Sequence, residues 1–177
     1  GRPELLKSLT PYKLRPVTET LPGRWMTGTQ NFEGIAGTKA AVDYLTELGR
    51  QVGGPADSRR KLLELAYAAI GDYERQLASR LIEGLVEIPH LTVYGLTDLQ
   101  RVGDRTPTVS FVHKKMPAID LAAKLGQQGL FVGHGNFYAL QVSEAFGLEP
   151  AGVVRVGLMH YNSHSEIDRL LTAIELL

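Results

Sequence analysis

Val153-Val154-Arg155-Val156-Gly157, followed shortly by Ser163-His164-Ser165-Glu166-Ile167-Asp168, is the stretch on which the reading of this chain turns. The first segment is a short β-branched run with a glycine at its entry, and it predicts a strand over Gly152 to Leu158. The second is a capping box, in which Ser163 caps a helix and Glu166 reaches back from its third position. Ile167, Leu170, Leu171, Ile174 and Leu177 then recur at helical spacing, so the chain closes on an amphipathic helix. Arg155 is the anomaly. A guanidinium in an apolar run is costly unless it has a partner or faces a cavity. A structural ion pair would satisfy it, and so would a ligand carboxylate, whose two oxygens match the guanidinium fork. The residues leave both readings open.

Outward from this stretch, further β-rich runs are read at Leu91 to Gly95, Thr108 to His113 and Leu130 to Gly133. Helices are read near Pro117 to Gln127 and Ala139 to Phe146. Together they make a small α+β unit. Further upstream, Leu62, Leu63, Ala66, Ile70, Tyr73, Leu77, Leu81 and Leu85 give a helical pattern that starts after Asp57 or Ser58 as N-cap and ends near Ile88-Pro89. At roughly 30 residues it is long for a globular helix and reads as a connector. Before it, Phe32 to about Val52 carries Ile35, Ala36, Ala40, Ala41, Tyr44, Leu45 and Leu48 at helical spacing, stopped by Gly53-Gly54-Pro55. Glu4 to Leu9 makes a helical turn or two. Thr10 to Asn31 has no sustained period and contains the only tryptophan, Trp25. We read it as a structured functional loop. The boundary expected from these patterns divides the chain into 1–87 and 88–177.

Thr27-Gly28-Thr29-Gln30-Asn31 is a hydroxyl- and amide-rich turn directly before a helix, where free N–H groups and the helix dipole suit an anion such as phosphate. A loop with a capped helix start is the plainer reading. His134, between Gly133 and Gly135 and followed by Asn136, sits in a turn that either lines a site or is simply solvated. His160 and His164 do not share a helical turn, because His164 falls inside the capping box and His160 precedes it; they read as surface or cap residues, and no metal site is expected. Arg59-Arg60 and Lys114-Lys115 read as solvated charges.

The composition excludes several classes of function. Nineteen basic and nineteen acidic residues cancel, which leaves no basic field for a nucleic-acid backbone. No apolar run approaches the roughly 20 residues that cross a bilayer, so we expect a soluble, cytoplasmic protein without membrane partners. There is no cysteine, which removes a disulfide framework, a thiolate metal site and a cysteine nucleophile. The chain opens without methionine at Gly1-Arg2-Pro3-Glu4, and we read it as a piece of a longer polypeptide.

In their order and spacing these pieces resemble class V aminotransferases, enzymes that use pyridoxal 5'-phosphate (PLP). The resemblance rests on the Gly28-Thr29 loop with its following helix, Gly129-Leu130-Phe131-Val132-Gly133-His134-Gly135-Asn136-Phe137-Tyr138-Ala139, Val154-Arg155-Val156-Gly157 and Tyr161 to Asp168. The wording around Trp25 to Glu33 is most similar to the cysteine-desulfurase-like branch. The resemblance implies an α/β chain, the C-terminal part of PLP-dependent transferase fold type I, ending in a small α+β domain with helices over its sheet. It implies a homodimer acting on a small amino acid. Gly28 and Thr29 would then contact the cofactor phosphate bound mainly by the other subunit, and Arg155 would hold the substrate carboxylate. His134, Asn136 and Tyr138 would line the substrate entrance, with Tyr138 where a desulfurase carries its sulfur-accepting cysteine. The family's cofactor-bearing lysine would lie upstream of Gly1, and Lys7, Lys13 and Lys39 are in the wrong surroundings to replace it. A non-catalytic ligand-binding or dimerisation module is the alternative.

Overall fold

The computed structural model describes residues Gly1–Leu177, which divide into two compact units, Gly1–Leu63 and Glu64–Leu177. In the first unit, α1 (Pro3–Ser8) begins with a proline in its first turn, where the missing N–H costs nothing. The following stretch is held to it by three long-range hydrogen bonds. Arg24 donates to the carbonyls of Lys7 and Leu9, and the Trp25 indole donates to that of Leu6. The guanidinium thereby satisfies acceptors that the end of a helix leaves open. Within this loop, Gly23–Trp25 form one 3-10 turn. Helix α2 (Phe32–Gly53) starts at Asn31, whose side chain accepts the Gly34 N–H at 2.8 Å, and stops at Gly54, whose φ of 73° ends the helical path. Ser58 caps α3 (Arg59–Glu87) by accepting from the Lys61 amide at 3.2 Å. The two helices touch at Gly49, where a Cβ would lie 1.9 Å from the Leu62 carbonyl oxygen. Only glycine allows that approach.

The second unit contains the rest of α3, then β1 (Leu91–Tyr94), a 3-10 turn over Leu99–Asp104, β2 (Thr108–His113) and α4 (Ala118–Gln127). It continues with β3 (Gly133–Gly135), α5 (Leu140–Ala145), β4 (Val153–Gly157) and α6 (His164–Glu175). The four strands form an antiparallel sheet in the order β1-β2-β4-β3. Alternation along each strand sends Val109, Phe111, Val154 and Val156 to one face, where they are buried with Leu77, Leu81, Ile82 and Leu85 of α3. Leu121 and Leu125 of α4 and Ile167, Leu170 and Ile174 of α6 complete this core. Helices thus cover one face of the sheet.

The capping box expected at Ser163 and Glu166 is present, with the Ser163 amide donating to the Glu166 carboxylate at 2.6 Å and the Glu166 amide to the serine oxygen at 3.3 Å. Two expectations are corrected. The third strand runs over Gly133–Gly135, not Leu130 to Gly133, because pairing with Val153–Arg155 fixes its register where the apolar run does not. His160 is half-buried with Nδ1 3.9 Å from a Glu74 carboxylate oxygen, so it is a packed residue of the α3 side and not a surface one. No helix is long and apolar enough to cross a membrane.

Candidate substrate-carboxylate site

The register of the sheet builds the site. Tyr94 on β1 faces Ser110 on β2, Ser110 faces Arg155 on β4, and Arg155 faces Gly133 on β3. Residues paired in this way point to the same face, so the four form one row across the sheet, on the face opposite the helical core. Arg155 does not need the ion pair that its apolar neighbours suggest. Burial along β4 alternates, with Val154 and Val156 buried and Arg155 exposed between them. The three valines hid this from a reading of hydropathy, because Val153 shares the open face with Arg155.

The last member of the row explains where the guanidinium rests. A Cβ on Gly133 would come within 3.0 Å of the Phe137 ring, so the glycine leaves the space that this ring fills. Arg155 lies over the ring, with Cζ 3.6 Å from its centroid. Stacking of this kind orients a guanidinium while keeping its N–H edge for an anion. No hydrogen bond or ion pair within the chain engages the Arg155 side chain.

Phe137 is presented by a tight turn. The Ala139 amide donates to the Asn136 carbonyl at 2.9 Å, and both residues between them are left-handed, Phe137 at φ 53° and Tyr138 at φ 62°. This conformation costs an L-residue roughly 1–2 kcal/mol. Asn136 offsets the cost through both ends of its amide, accepting from the Tyr138 N–H and donating to Glu149, each at 3.1 Å. Glu149 also accepts from the hydroxyl of Ser143, a buried residue of α5. One carboxylate therefore ties the turn to α5.

Around Arg155 the turn and α5 enclose a pocket of about 330 Å³ whose lining includes Tyr94, Ser110, Asn136, Phe137 and Phe146. Of the residues singled out from sequence, Arg155 and Asn136 meet here. His134 and Tyr138 do not line the pocket: His134 is exposed on β3 opposite Val154, and Tyr138 is fully exposed at the tip of the turn. Gly28 and Thr29 lie in the first unit, exposed, just before the Asn31 cap of α2. Sequence reasoning missed Tyr94, Ser110, Phe146 and Glu149. Only the spacing of Val142 and Phe146, one helical turn apart, hinted that α5 turns an apolar edge toward something.

Comparison with known proteins gives the family to which this fold belongs. Residues 56–170 match the class-V aminotransferase family, and the chain belongs to that family. It is 33% identical over 153 residues to a cysteine desulfurase from Salmonella typhimurium (strain LT2), covering 86% of this chain and 32% of the relative. The same figures hold for a cysteine desulfurase from Salmonella newport (strain SL254). Among solved structures, the apo cysteine desulfurase of Thermococcus onnurineus NA1 superposes with a TM-score of 0.67 at 27% identity, over 88% of this chain and 33% of that one. A cysteine desulfurase of Escherichia coli shares the fold with a TM-score of 0.71 at 20% identity, over 98% of this chain and 40% of that one. The chain spans about a third of the length of the curated relatives it matches.

Class V aminotransferases and cysteine desulfurases are PLP-dependent. Gly28 is open, with nothing near a Cβ built on it, and the Thr29 hydroxyl is exposed, so the loop has room for a phosphate. In the same region Lys13 is paired with Glu19 and donates to the Val17 carbonyl, Lys39 is paired with Asp43, and Lys7 is exposed on α1.

Proposed function

We propose that this chain is the C-terminal portion of a PLP-dependent enzyme acting on an amino acid, with residues 1–87 ending its cofactor-binding domain and 88–177 forming its substrate-binding domain. PLP supplies an electron sink for bonds at the substrate's α or β carbon. Arg155 binds and orients the substrate carboxylate, and Phe137 holds the guanidinium flat beneath it. Gly28 and Thr29 bind the cofactor phosphate in a homodimer, each loop serving the other subunit. Tyr138 acts at the entrance, and Asn136 keeps the turn that carries it in shape; His134, paired with Val154, lies on the other face of the sheet. The observation that carries this reading is Arg155 itself, a cation with no partner in the chain, stacked at 3.6 Å on a ring at the edge of a pocket.

Tyr138 bears on the reaction type. At the position where the family's desulfurases carry a cysteine, a phenol with a pKa near 10 has little anion at neutral pH, and its oxygen cannot take up sulfur as a persulfide. A lyase, epimerase or aminotransferase reaction is the better fit to a chain without cysteine.

The test is Arg155→Ala in the full-length protein with PLP. A bidentate, charge-assisted contact contributes about 1.5–3 kcal/mol, so amino-acid affinity should fall by roughly one to two powers of ten while PLP affinity is nearly unchanged. Equal loss of both ligands would refute the assignment.

A further inference from the structure

We propose that Tyr94, Phe137 and Phe146 form, beside Arg155, a subsite that selects a carboxylate ligand bearing a bulky apolar side chain, an aromatic ring above all. The inference rests on Arg155 as the carboxylate holder and adds the class of side chain, larger than the small amino acid that the family resemblance implies.

Three observations converge on it. The pocket has a single cation and no acidic side chain in its lining, because the nearby Glu149 is engaged by Asn136 and Ser143. Its other walls are aromatic and aliphatic: the Tyr94 and Phe146 rings stand 5.3 Å apart at 50°, and the Phe137 ring forms the floor under Arg155. Tyr94 and Arg155 are separated in the row by one residue, Ser110, and hence by two strand spacings, on the order of 10 Å. A carboxylate at Arg155 with an attached phenyl group reaches across that span to the Tyr94 and Phe146 rings. A sulfanylmethyl group, the CH2SH side chain of cysteine, stops short and leaves them wet. A pocket of about 330 Å³ with apolar walls and a few fixed polar groups is suited to an occupant larger than cysteine. Each additional buried methylene is worth about fourfold in affinity.

The experiment is a calorimetric titration of the full-length protein, free of PLP, with 3-phenylpropanoate, propanoate and 3-phenylpropanamide. No cofactor is added, so its failure is distinguishable from failure of the PLP reading, which is tested on the PLP-loaded full-length protein. We expect 3-phenylpropanoate to bind at least about tenfold tighter than propanoate, as several buried methylene equivalents require, and at least about tenfold tighter than the amide, as the lost charge-assisted contact to Arg155 requires. Phe146→Ala should collapse the advantage over propanoate, and Arg155→Gln the advantage over the amide. Phe146 is exposed, so its replacement leaves the core intact. Equal binding of the two acids overturns the subsite and leaves Arg155 as a carboxylate holder. Equal binding of acid and amide, or no binding of any of the three, overturns both.

Discussion

Glu149 controls more of the site than its position in a loop suggests. Its carboxylate accepts from Asn136 and from the buried Ser143, and Asn136 in turn fixes the left-handed pair that presents Phe137 to Arg155. Removing it leaves the Asn136 amide without that acceptor, while the Ser143 hydroxyl can still donate to the Ala139 or Leu140 carbonyl, so the cost is about 1 kcal/mol. We therefore expect Glu149→Ala to lower the unfolding free energy obtained from urea denaturation by that amount and Glu149→Gln, which keeps the acceptor oxygen, to lower it by clearly less. Equal losses would show that the negative charge matters, and not the acceptor. At this scale the sequence was legible in part. Arg155 stood out because a guanidinium among valines demands an explanation. Phe137 and Glu149 did not, because an aromatic in a glycine-rich turn and a glutamate before a proline are ordinary until the turn brings them to their partners.

Helices were read well wherever a cap and a period coincided. Ser163 with Glu166, Ser58 and Gly54 all act as their residue types imply. The three-residue β3 was misplaced because its register comes from pairing with β4, a long-range effect with no local signature. The row through Tyr94, Ser110 and Arg155 was invisible for the same reason. Contacts between elements add pH dependence that no single segment reveals. Arg80 of α3 bonds Asp168 of α6 at 2.6 Å, and this hydrogen bond holds the Asp168 carboxyl below its ordinary range. A depressed folded-state pKa contributes stability that is fully present above the unfolded value, near 4, and is lost as pH falls through the folded value. Both groups are exposed, so the effect is small and salt-sensitive. In Arg80→Met the acid limb of stability against pH, below about pH 4, should flatten. An unchanged acid limb would assign it to other carboxylates.

For the whole chain, two expected outcomes follow from the proposed function. Titration of the 177-residue chain with PLP and reduction with borohydride should give no stoichiometric adduct on a single lysine, because no lysine lines the Arg155 pocket. A single modified lysine at full occupancy would reverse that assignment. The full-length protein, with PLP and a reductant, should not convert cysteine to alanine and sulfide briskly; rapid turnover unchanged in Tyr138→Phe would mean that another group accepts the sulfur. The sheet order β1-β2-β4-β3 has a consequence in time. β4, the last strand to leave a ribosome, lies inside the sheet and is the sole neighbour of β3. Until residue 157 has emerged, β1 and β2 can pair only with each other, and the apolar sides of α3 and α4 face a half-built surface. Synthesis from the N-terminus therefore cannot assemble this unit step by step. The nascent chain must hold its apolar helices partly uncovered until β4 and then α6 arrive, and the core closes only once both are in place.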